Sequence, residues 1–124
     1  MSVGDARVPA ETASDVLLER ATDVRMDATK HLTALAGDAS MCAIGRSGRS
    51  FPAAKYHEGR QSAASQVRRA LRSGPTGGPA LAVVTTVRAE WEQMLAGAPS
   101  KGPDWVAYAT GGLDALAEIT EARP

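Results

Sequence analysis

TASDVLLERATDVRMDATKHLTALA, residues 12–36, carries one hydrophobic period from end to end. At about 100° per residue, Leu17, Ala21, Val24, Ala28, Leu32 and Leu35 fall on one arc, so the stretch reads as an amphipathic helix. Thr12 is placed to cap it, Asp15 complements the helix dipole in the first turn, and Gly37 supplies the stop. The positions Leu17, Ala21, Val24, Ala28, His31 and Leu35 alternate spacings of four and three. That is the seam of a short coiled coil, and these six residues are the candidate interface.

Three more helical segments follow, separated by Gly/Pro-rich breaks. Pro52–Arg72 begins with proline at the first helical position, with Phe51 at the cap and Ser50 just before it as a second candidate; Ala53, Tyr56, Ala63, Ala64, Val67, Ala70 and Leu71 share its apolar arc. After SGPTGGP (73–79), Val84, Val87, Trp91, Met94 and Leu95 form the apolar face of a third helix running to Ala96. Its start, Ala80 to Val87, is β-branched enough to read as a strand, but no partner strand exists elsewhere, which favours helix. After GAPSKGP (97–103), Trp105, Tyr108, Ala109, Gly112, Leu113, Leu116 and Ile119 share the face of a helix over 104–122. Gly59, Gly111 and Gly112 each cost a helix interior about 1 kcal/mol relative to alanine. Gly112 lies on the inward face, where close contact would offset that; Gly111 lies outward and marks a possible bend.

The expected fold is therefore all-α: a small bundle of four main helices, with a flexible N-terminal arm over 1–11, a single helical domain over 12–124, and a long loop after the first helix. The loop, 37–51, holds a small apolar knot, Met41 to Ile44. Whether helices 2 and 3 form a plain hairpin or a helix-turn-helix stays open.

Composition narrows the function. Alanine provides 24 of 124 residues, whereas Leu, Ile, Val and Phe together provide 21, so the core is thin and would gain from a partner. No run is long and apolar enough to cross a membrane, and residues 1–10 lack the pattern of a secretory signal. The single cysteine, Cys42, cannot form an intramolecular disulfide. A cytoplasmic location is expected.

Net charge is zero, but it is unevenly spread. Residues 46–72 hold seven basic side chains against Glu58, whereas 11–38 and 88–124 are both net −3. The bland reading is complementarity inside the bundle; the sharper one is an anion-binding face that includes Arg68, Arg69 and Arg72. Aromatic interleaving, as in single-strand binders, is missing there. Arg60 sits inside the apolar arc of helix 2, near Tyr56, and must snorkel, pair with a carboxylate of helix 1 or 4, or meet a ligand. His31 falls in the seam, where it reads as a satisfied core or interface residue. His57, beside Glu58, reads as solvated surface. Trp91 and Trp105 are expected to face each other as core anchors of helices 3 and 4.

No catalytic or metal-binding signature is present, and no cofactor is implied: Cys42, His31 and His57 lie on separate elements without ligand spacing. Gly74 to Pro79 lacks the Lys-Ser/Thr ending of a phosphate loop. The leading expectation is a non-catalytic cytoplasmic interaction module, an adaptor, regulator or subunit, partnered by itself or another protein and not by a membrane. The alternatives are a nucleic-acid-binding regulator using 46–72, and a small-ligand binder or enzyme with a pocket among Tyr56, Arg60, Trp91 and Trp105.

Overall fold

The computed structural model describes residues 10–36, 51–73 and 79–121. They form four α-helices: α1 (Ala10–Ala36), α2 (Pro52–Ser73), α3 (Ala80–Gly97) and α4 (Pro103–Glu121), with a 3-10 turn, Ala98–Ser100, before α4. The all-α bundle expected from the hydrophobic period is thus the fold. No strand occurs among the described residues, and 80–87 is helical. The expected arm, apart from Ala10 and Glu11, lies outside the described residues. So do loop residues 37–50, including Cys42, Arg46 and Arg49. α1 begins two residues earlier than its apolar period, within the usual scatter of helix ends. Among the described residues no helix is long and apolar enough to cross a membrane.

The chain runs down, up, down, up. Hydrogen bonds pair Thr22 with Arg68 and Thr29 with Gln61, so α1 and α2 are antiparallel. Arg88 pairs with Thr120 while Trp91 packs on Tyr108, so α3 and α4 are antiparallel too. The pairs Phe51–Asp104, Tyr56–Asp114 and Arg60–Glu118 advance together, so α2 and α4 are parallel. In a square bundle such a pair would be diagonal and separated. Here α2 and α4 make the most extensive packing of any two helices.

Glycine permits that approach. A Cβ on Gly59 would fall under 3.0 Å from the carbonyl of Tyr108, and one on Gly111 would do the same at the carbonyl of Tyr56. The two contacts are reciprocal, so α2 and α4 cross backbone to backbone. Gly112 takes the Trp91 ring over its missing side chain. Gly111 therefore does not point outward; it is buried at the crossing, and no bend is needed to explain it. With the axes so close, small side chains suffice between them: Ala63, Ala64 and Ala115 are fully buried beside Val67, Leu116 and Ile119.

The seam of α1 is used within the chain. Leu17, Ala21 and Val24 belong to the central apolar cluster and Ala28 is fully buried. A charge at Val24 would enter this core, so Val24→Glu is expected to unfold the chain rather than separate two copies. His31 is exposed and Leu35 half-buried at the end of the same helix.

Two turns fix where α2 and α4 begin. Phe51 accepts the Lys55 N–H through its carbonyl at 3.1 Å, as a cap residue does, and its own N–H donates to Asp104 Oδ1 at 3.1 Å. Gly102, with φ of 117°, adopts the left-handed conformation that a side chain disfavours, and its carbonyl accepts the N–H groups of Trp105 and Val106.

Candidate functional site

Two places concentrate chemistry. The first is a polar cluster bridging α1, α2 and α4 around Arg60, which is 5% exposed. Its apolar-arc position sends the guanidinium along the α2–α4 contact to the edge of α1. There Nη2 meets Asp27 Oδ2 at 3.0 Å and Glu118 Oε1 at 3.1 Å, and Nε donates to Glu118 Oε2 at 3.3 Å. Burial opposes the charge, but the two carboxylates outweigh it and hold the Arg60 pKa above its ordinary value. Hydrogen bonding from Arg60 in turn holds the Asp27 carboxyl below the usual range, against a smaller opposing effect of burial.

The remaining Arg60 nitrogen, Nη1, lies 3.2 Å from His57 Nδ1. Arginine can only donate, so His57 Nδ1 accepts and carries no proton. The His57 ring is not solvated surface: it stacks on His31 with centroids 4.4 Å apart, and Tyr56 meets it edge-on at 5.1 Å. Sequence reasoning missed this pair because the two histidines share no element; only the antiparallel register of α1 and α2 joins them. His31 Nδ1 lies 2.9 Å from the Asp27 carbonyl, to which it donates. Tyr56 donates from its hydroxyl to Asp114 at 2.6 Å; burial and that carboxylate push its pKa up to about 12.

Burial first, then the charges of His31 and Arg60, depress the His57 pKa below 6.5. The unfolded chain then binds this proton more readily than the folded one. The His57 share of stability is complete above pH 6.5 and is lost as pH falls toward the depressed folded-state value. Thermal unfolding should show a falling midpoint over that window, and His57→Gln should flatten it. An unchanged slope in the variant would contradict the neutral, Arg60-bonded histidine.

The cluster is closed on itself. Both faces of the Arg60 fork and the Tyr56 hydroxyl have protein partners. Trp91, expected to line a pocket with them, is buried on the far side of α4, with Nε1 donating to Gln66 at 2.9 Å. Among the described residues no group of three or more His, Cys, Asp or Glu converges as a metal centre requires.

The second place is a hollow of about 520 Å³ at the α4 start, lined by Lys55, Met94, Asp104, Trp105 and Tyr108. Trp105 does not face Trp91 in the core. Tyr108 lies between them, 5.2 Å from Trp91 and 6.1 Å from Trp105 by ring centroids, and Trp105 is 45% exposed. The helical period places Trp105 on the apolar face, but it sits in the first turn of α4, where it lines the hollow with Lys55 of α2 and Met94 of α3 and keeps part of its ring exposed. Lys101 Nζ stands 5.1 Å from its ring centre, and Lys55 pairs with Glu58 at 3.1 Å.

The basic side chains of α2 separate by face. Arg68 is half-buried against α1, donating from Nε to Thr22 Oγ1 at 3.0 Å, whereas Arg69 and Arg72 are exposed.

Compared with known proteins, the chain matches no family model, no curated protein and no solved structure.

Proposed function

We propose that this chain is a non-catalytic helical interaction module, which docks a partner protein through the hollow around Trp105. The observation that carries this reading is a large aromatic ring left 45% exposed at the lip of a concave surface floored by Met94 and Tyr108. Exposed tryptophan beside a pocket is the side-chain type that anchors protein interfaces. Lys101 beside the Trp105 ring and Asp104 in the lining give the rim both signs of charge. An apolar side chain of the partner would fill the hollow while its polar neighbours meet that rim.

The self-contained state of the Arg60 cluster supports the same reading. A guanidinium whose three nitrogens are all engaged by Asp27, Glu118 and His57 leaves one N–H for a substrate, which weighs against a ligand pocket at Tyr56 and Arg60. It also removes Arg60 from any nucleic-acid face built on 46–72, and Lys55 is already paired. The sparse large-apolar composition and the single cysteine fit a small subunit of a cytoplasmic complex.

Native mass spectrometry of the protein purified gently from its own host tests this. The expected spectrum shows a stoichiometric protein adduct, a different chain or a second copy, which disappears in Trp105→Ala while the helical circular dichroism is kept. A bare mass in the parent protein, or an adduct indifferent to the substitution, would overturn the reading.

A further inference from the structure

Beyond Ala28 the apolar hold on α1 weakens. Ala28 is fully buried, whereas none of residues 29–35 is; Leu32 and Leu35 are half-buried and the rest exposed. This end of the helix is held to α2 by the hydrogen bond from Gln61 to Thr29, 2.8 Å, and by the stack of His31 on His57, with ring planes 13° apart. The outermost of these ties is a pair of imidazoles.

The hydrogen bonding of His57 fixes what a proton would do there. Nδ1 accepts from Arg60 Nη1 at 3.2 Å, so the hydrogen of the neutral ring is on Nε2 and a second proton has to go on Nδ1. That proton turns the acceptor into a donor aimed at another donor. It also sets a cation against the Arg60 guanidinium, whose side chain is buried and fixed by Asp27 and Glu118. Arg60 is held in place, so His57 has to turn away, and the ring face that His31 covers goes with it.

The groups around His57 come from three helices. α1 brings Asp27, Lys30 and His31; α2 brings Tyr56, Arg60 and the mutually paired Lys55 and Glu58; α4 brings Glu118, and Asp114 through Tyr56. α3 places Glu90 on Gln66, further along α2. Asp27 and Glu118 favour a proton on His57, but burial, His31 and Arg60 oppose it and prevail. Asp27 itself stays ionised near neutral pH, because Arg60 holds its carboxyl low. The Arg60–Asp27 pair therefore persists and pins α1 one turn before His31.

We propose that the His31–His57 pair is an acid-released latch: a proton on His57 Nδ1 undocks residues 29–36 of α1 from α2 while the rest of the bundle stays folded. Undocked, His57 regains the ordinary proton affinity of an imidazole, so the released state gains on the docked one as pH falls below 6.5. Release carries Leu32 and Leu35 away from the bundle. The latch involves neither Trp105 nor its hollow and stands or falls without the docking reading.

NMR of the full chain from about pH 8 to about pH 5 tests this. The His57 ring nitrogens should report a bare Nδ1 at the upper end and a protonated one as pH falls. Backbone order parameters of residues 30–35 should drop from about 0.85 to below about 0.6 with the same midpoint, while residues 17–24 keep theirs. His57→Phe keeps a ring for His31 and takes no proton, so residues 30–35 should stay ordered throughout. His31→Ala, at an exposed position, should leave them mobile already at the upper end. Should His57→Phe fail to fold, the parent titration and His31→Ala decide alone. The latch is overturned if residues 30–35 stay ordered after His57 has taken its proton, the ring having flipped in place. It is equally overturned if the whole chain loses order at once, if His57→Phe drops as the parent does, or if His31→Ala stays ordered at the upper end.

Discussion

Gly59→Ala is expected to destabilise the chain by about 3 kcal/mol, and Gly111→Ala by a similar amount. Taken locally, each change should help, since alanine is favoured over glycine by about 1 kcal/mol inside a helix. The close crossing reverses the sign. Each new Cβ would lie under 3.0 Å from a backbone carbonyl of the facing helix, and backbone cannot swing aside as a flexible side chain can. α2 and α4 would have to separate, loosening the contacts of Ala63, Ala64 and Ala115, which have no length to follow the retreat. For a domain whose whole stability is on the order of 10 kcal/mol, the thermal midpoint should drop by about 10 °C. Gly97→Ala is the internal control. Nothing lies within 4 Å of a Cβ there and its φ is −92°, so the same substitution should be neutral or stabilise by about 0.5 kcal/mol. Equal effects at Gly59 and Gly97 would contradict the crossing.

The second large effect is expected from removing both carboxylates that hold Arg60. Asp27→Asn with Glu118→Gln leaves a guanidinium whose side chain is 6% exposed facing two neutral amides. Breaking a buried ion pair from one side costs about 3–5 kcal/mol. The lower end applies here, because the carboxylates themselves are 48% and 46% exposed and partly screened by water. Either single substitution should cost much less than half of this, since the other carboxylate still compensates. Arg60→Met should cost less than the double change, because it leaves two half-solvated carboxylates and no buried charge. Chemical denaturation of the four proteins measures the ordering, and additive single effects would argue against a shared role for the two acids.

Much of this was written locally. The four helices follow from apolar periods and Gly/Pro breaks, and Pro52 narrows the cap of α2 to Phe51 or Ser50, of which Phe51 takes the Lys55 N–H. Arg60 stood out because a charge in an apolar arc demands a partner, and helices 1 and 4 were the right places to look. What stayed hidden depends on how helices meet. Gly59 and Gly111 lowered the helix score of their own segments, and their purpose appears only where each finds the carbonyl of the other helix. The α1 seam looked like an interface between copies because a period shows which face is apolar and not what covers it; α2 and α4 cover it. His31 and His57 are 26 positions apart and become neighbours only through the antiparallel register.

The reading of Trp105 as the anchor of a docking surface is tested most directly by placing a photo-crosslinking amino acid at position 105 of the protein in its own host. A single discrete crosslinked protein is expected from position 105, and none from position 19, which is exposed on α1. No adduct at position 105, or the same adducts from both positions, would contradict it.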